Sequence, residues 1–110
     1  MRRFGQILAL VLPLAAQAGD EVLTGDQIRT ALEGRKLVYG GGAWQDFRAS
    51  GRTLYNAGAD SWGYWAVRGD QYCSQWPPSD LWACYDIHPL PNGVRFVGAG
   101  NDVTDGRYAE

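Results

Sequence analysis

The sequence predicts a mainly β protein: a short N-terminal helix followed by an antiparallel β-meander, forming a curved sheet or small barrel with one disulfide. Three observations predict it. Only one segment, Thr24 to Gly34, carries helical spacing. Beyond Gly34, turn signals recur about every eight to twelve residues, the spacing of all-β chains. The two cysteines, Cys73 and Cys84, flank one of those turns.

The N-terminus comes first. Met1-Arg2-Arg3 is basic, Ile7 to Ala16 is apolar, and Ala16-Gln17-Ala18 has small residues at the cleavage-site spacing. In that order they read as a secretory signal peptide over residues 1–18. The apolar run is shorter than the roughly 20 residues of a membrane span. No cysteine follows Ala18 to carry a lipid anchor. Residues 19–110 are then expected to form a single small β-rich domain, periplasmic or secreted. Losing Arg2 and Arg3 leaves eight basic residues against twelve acidic ones, a net charge of −4. Neither a nucleic-acid footprint nor a basic membrane-binding run is present. No nucleic-acid partner and no stable membrane insertion after cleavage are expected.

Thr24 is the expected N-cap, with Gln27 completing a capping box. Ile28, Ala31 and Leu32 form an apolar stripe, and Gly34 is the stop. The strands follow: Lys36–Tyr39, the Gly40-Gly41-Gly42 loop, Trp44–Arg48, Arg52–Tyr55, Trp62–Arg68, Gln71–Trp76, Leu81–His88 and Val94–Ala99. Val103–Tyr108 is expected as a last, frayed strand.

Register follows from one turn and one pair of cysteines. With Gly69-Asp70 as a two-residue hairpin turn, Arg68 faces Gln71, Val67 faces Tyr72 and Ala66 faces Cys73. In an oxidising compartment the economical pairing is a Cys73–Cys84 disulfide. It sets Tyr72 opposite Tyr85 and Ser74 opposite Ala83. Side chains alternate between faces, so Trp65, Val67, Tyr72, Trp76, Tyr85 and Ile87 share the expected core face. Trp62, Tyr64, Ala66, Cys73, Trp82, Cys84 and His88 share the other. That second face is aromatic too. It must be covered by the helix, line a pocket or meet a partner.

The order of motifs resembles a family of small exported proteobacterial β-proteins of unassigned function. The resemblance rests on Leu23-Thr24-Gly25-Asp26-Gln27-Ile28-Arg29, Gly51-Arg52-Thr53-Leu54-Tyr55, Trp62-Gly63-Tyr64-Trp65, Gly69-Asp70-Gln71-Tyr72-Cys73, Trp76 and Cys84-Tyr85. It covers nearly all of residues 19–110. It implies a periplasmic or secreted β-domain with one disulfide, and it carries no catalytic residue to transfer.

Little in the chain points to catalysis. His88 is the only histidine, and no Gly-x-Ser-x-Gly elbow is present. The cysteines lack Cys-x-x-Cys spacing. Asn101, Asp102 and Asp105 fall short of a calcium loop, and zinc spacing is missing. No metal and no cofactor are expected. Gly40–Gly42 lacks the lysine and helix of a phosphate loop. Asp46, Asp60, Asp80 and Asp86 are spread along the chain without glycosidase-like spacing.

The aromatics are the stronger signal. Most of the five tryptophans are expected in the core, because ring burial supplies apolar area to a small domain. Trp76 and Trp82 bracket Pro77–Leu81, a loop tied by the disulfide. With Trp62 and Tyr64 they form the candidate binding surface. The expected function is an exported, non-enzymatic small binding or structural protein. Its ligand would be a small apolar molecule, a carbohydrate or another exported protein. Inhibition of an exported hydrolase is the first rival, and an enzyme with dispersed carboxylates the second.

Overall fold

The computed structural model describes residues 21–109. The expected signal peptide, residues 1–18, lies outside the described residues. Helix α1 (Gly25–Leu32) leads into β1 (Lys36–Val38), a 3-10 turn at Gly40–Gly42 and β2 (Trp44–Phe47). Then come β3 (Arg52–Asn56), β4 (Asp60–Arg68), β5 (Gln71–Gln75), β6 (Trp82–Leu90), β7 (Gly93–Val97) and β8 (Val103–Tyr108). Each strand pairs antiparallel with the next, and β8 pairs back to β1, closing an eight-stranded barrel. Of the two expected forms, curved sheet or small barrel, the chain adopts the barrel.

The central register is the one the Gly69-Asp70 turn and the cysteines dictate. Ala66 faces Cys73, Cys73 faces Cys84, and Tyr72 faces Tyr85. Cys73 and Cys84 are disulfide-bonded. Two boundaries differ from expectation. β6 runs through Pro89 to Leu90 instead of ending at His88. From Ile87 onward its partners lie on β7, while its pairing with β5 ends nearer Tyr85. That edge-like setting is where a sheet accommodates proline. β8 is not a frayed end: Val103–Arg107 pairs with β7, and Arg107 and Tyr108 join β1. Gly106 allows this, because a Cβ there would crowd Leu37 at 2.9 Å and Tyr39 at 3.0 Å.

Helix α1 closes one end of the barrel. The Thr24 hydroxyl accepts from the Gln27 N–H at 3.3 Å, and the Gln27 side chain accepts from the Thr24 N–H at 2.9 Å. This is the expected capping box. An eight-residue helix is too short to persist alone, so docking holds it. Ile28 and Leu32 are fully buried, each contributing about 2 kcal/mol of apolar burial. The Leu23 N–H donates to the Ile87 carbonyl at 2.8 Å, and the Gly25 N–H to the Asp70 carboxylate at 2.8 Å. The Tyr108 hydroxyl donates to the Ala31 carbonyl at 2.9 Å. Below this lid lie Leu37, Phe47, Trp65, Ile87 and Val94, all buried.

Candidate functional site

The end away from α1 is open. There the strands are linked by the turns around Gly40–Ala43, Ala57–Ala59, Trp76–Leu81 and Gly98–Asn101. A cavity of about 860 Å³ enters the barrel between them. Alternation along the strands decides its lining. Gln45, Tyr55, Tyr72, Ser74, Tyr85, Phe96 and Thr104 fall on inward positions, and Tyr39 and Trp76 enter from the strand ends.

Aromatic contacts run from the sealed end to the mouth. Phe47 meets Trp65 and Tyr72 edge-on, with centroids 5.8 Å apart in each case. Tyr72 meets Phe96 at 5.2 Å, Phe96 meets Tyr39 at 6.2 Å, Tyr39 meets Tyr55 at 6.1 Å, and Tyr55 meets Trp76 at 6.2 Å. These spacings are favourable for edge and offset ring pairs. Trp76 lies against the backbone of β4, where Gly63 makes room. A Cβ on Gly63 would stand 2.5 Å from the Trp76 ring.

A polar chain crosses the cavity floor. The Tyr39 hydroxyl donates to Gln45 Oε1 at 2.6 Å. Gln45 Nε2 donates to Thr53 Oγ1 at 2.9 Å and to the Tyr72 hydroxyl at 3.3 Å. Thr53 Oγ1 donates to the Asp46 carbonyl at 2.6 Å, and the Trp76 indole N–H to Ser74 Oγ at 3.2 Å. Burial holds these phenols neutral. Desolvation pushes Tyr72 up to about 12 and Tyr39 well above the ordinary phenol range. Tyr85 is raised by burial and then by the Asp102 carboxylate beside it. Among the described residues no Lys, Arg or His lines the cavity, and the one charged lining residue is Asp60, whose carboxylate accepts from Asn56 Nδ2 at 2.7 Å.

The candidate surface residues divide between the two sides of the wall. Trp76 lines the cavity. Trp62, Tyr64 and Trp82 belong to the outer face, and only Trp62 also reaches the rim. Arg52, Tyr64, Gln75 and Trp82 are successive cross-strand partners in one row. The Trp62 ring is flanked by the guanidinium groups of Arg48 at 4.8 Å and Arg52 at 4.5 Å, while Arg68 covers Trp82 at 4.3 Å. The aromatic outer face is thus dressed by its own arginines through cation–π contacts. The residues missed from sequence are Tyr39, Gln45, Tyr55, Tyr72, Ser74, Tyr85 and Phe96. Tyr72 and Tyr85 were legible as inward-facing, but nothing local marks the space between them.

The other candidates stand apart. His88 faces Arg95 across β6 and β7 on the outer side. Asp46 accepts from the Leu54 N–H, Asp86 accepts from Gln71, Asp60 sits at the rim, and Asp80 is exposed in the 76–81 turn. Among the described residues no group of three His, Cys, Asp or Glu side chains converges as a metal site. No protein-family model, curated protein or solved structure matches this chain.

Proposed function

We propose that this chain is an exported binding protein that takes a small uncharged ligand, apolar or carbohydrate, into the open end of its barrel and performs no chemistry on it. The observation that carries the reading is the 860 Å³ cavity lined by aromatic rings and neutral hydroxyls. Its volume falls in the range of small-molecule sites, about 300–1,000 Å³. A barrel of this size can fill its interior with side chains or hold one ligand, and here the half facing α1 is filled while the other half is open. The disulfide supports export. The charged residues Lys36, Arg52, Arg68, Asp86, Arg95 and Arg107 are spread over the outer face of the wall. A lipid-facing barrel has the opposite pattern, which supports a water-soluble protein.

The inhibitor reading has one observation in its favour. Leu81, at the edge of the Trp76–Leu81 turn, is 76% exposed, an apolar side chain that could enter a partner's cleft. Recovery of the protein from periplasmic extract under native conditions, followed by native mass spectrometry, separates the two. The binding reading expects a small-molecule mass adduct that is lost on denaturation, without a stoichiometric protein partner. A stoichiometric exported hydrolase with no adduct would overturn it in favour of inhibition.

A further inference from the structure

Resting on that binding reading, we propose that the ligand is a planar, uncharged aromatic carbonyl compound whose carbonyl oxygen is received by the hydroxyls of Tyr72 and Ser74. The argument is a count of protons. Both hydrogens of the Gln45 amide are committed, to Thr53 and Tyr72. The Tyr39 proton goes to Gln45, the Thr53 proton to the Asp46 carbonyl, and the Trp76 indole proton to Ser74. Of the buried hydroxyls at the cavity floor, two keep an uncommitted proton, those of Tyr72 and Ser74. Each of these hydroxyls accepts one hydrogen bond, Tyr72 from Gln45 and Ser74 from Trp76. Neither proton is donated in a hydrogen bond among the described residues.

Tyr72 is 3% exposed and Ser74 5% exposed, and both line the cavity. A buried O–H with no acceptor is costly, so these protons are available to whatever fills the space. The oxygens nearby already accept: Gln45 Oε1 from Tyr39, Thr53 from Gln45, and Ser74 from Trp76. A sugar brings hydroxyl donors, whose free acceptors in the lining are the less buried Tyr55, Tyr85 and Asp60 and not the buried floor. A carbonyl only accepts, so it fits this balance better. Charge narrows the class further. With no cationic side chain in the lining, a carboxylate or phosphate would be buried unpaired. The walls formed by Tyr39, Tyr55, Phe96 and Trp76 present ring edges and faces suited to a flat aromatic body.

Three probes of one shape test this by titration calorimetry on the oxidised, exported form of the protein. 2-Acetonaphthone carries the carbonyl, 2-isopropenylnaphthalene replaces its oxygen with carbon, and 2-naphthoate replaces the ketone with a charge. The ketone is expected to bind about tenfold tighter than the alkene, the order of one hydrogen bond, and the naphthoate weakest of all. Tyr72→Phe or Ser74→Ala alone leaves one hydroxyl proton and keeps the preference. The double variant loses it, its ketone and alkene affinities becoming equal. Equal ketone and alkene affinity in the unmodified protein overturns the proposal, as does tighter binding of naphthoate or failure of all three to bind. That comparison stands even if the double variant does not fold. The binding reading itself is judged separately, by the mass adduct.

Discussion

The two ends of the barrel are built from the same strands and differ in what those strands point inward. At the α1 end, Leu37, Phe47, Ile87 and Val94 interlock with Ile28 and Leu32, and every one of them is buried. At the other end the inward positions carry Tyr39, Gln45, Tyr55, Ser74 and Tyr85, and space remains between them. Aliphatic side chains have no polar atoms to satisfy, so they can be packed to solid density. Phenols and amides must be hydrogen-bonded, and here Tyr39, Gln45, Thr53 and Tyr72 are tied into one network along the wall. One end serves stability, and the other holds a shaped polar–aromatic surface.

The largest break in this comparison comes from the sealed end. Leu32→Ala should cost about 2–5 kcal/mol in urea unfolding, as large-to-small core changes do, while the cavity keeps its ligand affinity in the folded protein. Next is the staple between β5 and β6. Cys73→Ser with Cys84→Ser should cost about 3 kcal/mol for so short a loop, measured by the same unfolding against the oxidised protein.

At the open end the effects are smaller and local. Gly63→Ala places a Cβ 2.5 Å from the Trp76 ring and 2.6 Å from the Gln75 carbonyl. Both must shift, the ring to clear the new Cβ and the Gln75 backbone to widen the approach of β4 and β5. The expected cost is about 1–3 kcal/mol, with a changed tryptophan near-UV signal and weaker ligand binding. Tyr72→Phe should cost least, about 0.5–1.5 kcal/mol for one hydrogen bond.

That last variant also sharpens a pH effect. Tyr72 titrates near 12 in the fold against an ordinary 10.0. The folded state therefore holds its proton more tightly than the unfolded chain. Its contribution is complete below pH 10 and is lost as pH rises toward 12. Alkaline unfolding followed by phenolate absorbance should show this decline, and Tyr72→Phe should make it shallower.

How much of this was legible follows from what is local. A two-residue turn dictates strand register, so Gly69-Asp70 and the cysteine pair sufficed to align β4, β5 and β6 and to assign Trp65, Tyr72 and Ile87 to the inside. The helix was equally legible, because capping residues act within one turn. Closure was not. It joins Leu37 to Tyr108 and Val38 to Arg107, residues far apart in sequence, through a three-residue strand with no periodicity to read. The cavity exists only once that closure is made, so its lining could not be collected in advance. Trp76 illustrates the gap. Its place on the inward face was readable, yet its neighbour Gly63 and the space beyond it depend on the barrel. Trp62 and Trp82 looked like a recognition surface because the arginines that cover them come from other positions: Arg48 from the turn after β2, Arg52 from β3 and Arg68 from the far end of β4.

The claim that the open end is the binding end is tested most directly by amide chemical shifts of the oxidised protein during titration with 2-acetonaphthone. Shifts concentrated at Tyr39, Gln45, Tyr55, Ser74 and Trp76, with Ile28, Leu32 and Leu37 unmoved, are the predicted result. Shifts confined to the outer row of Arg52, Tyr64 and Trp82, with the cavity residues unmoved, would contradict it.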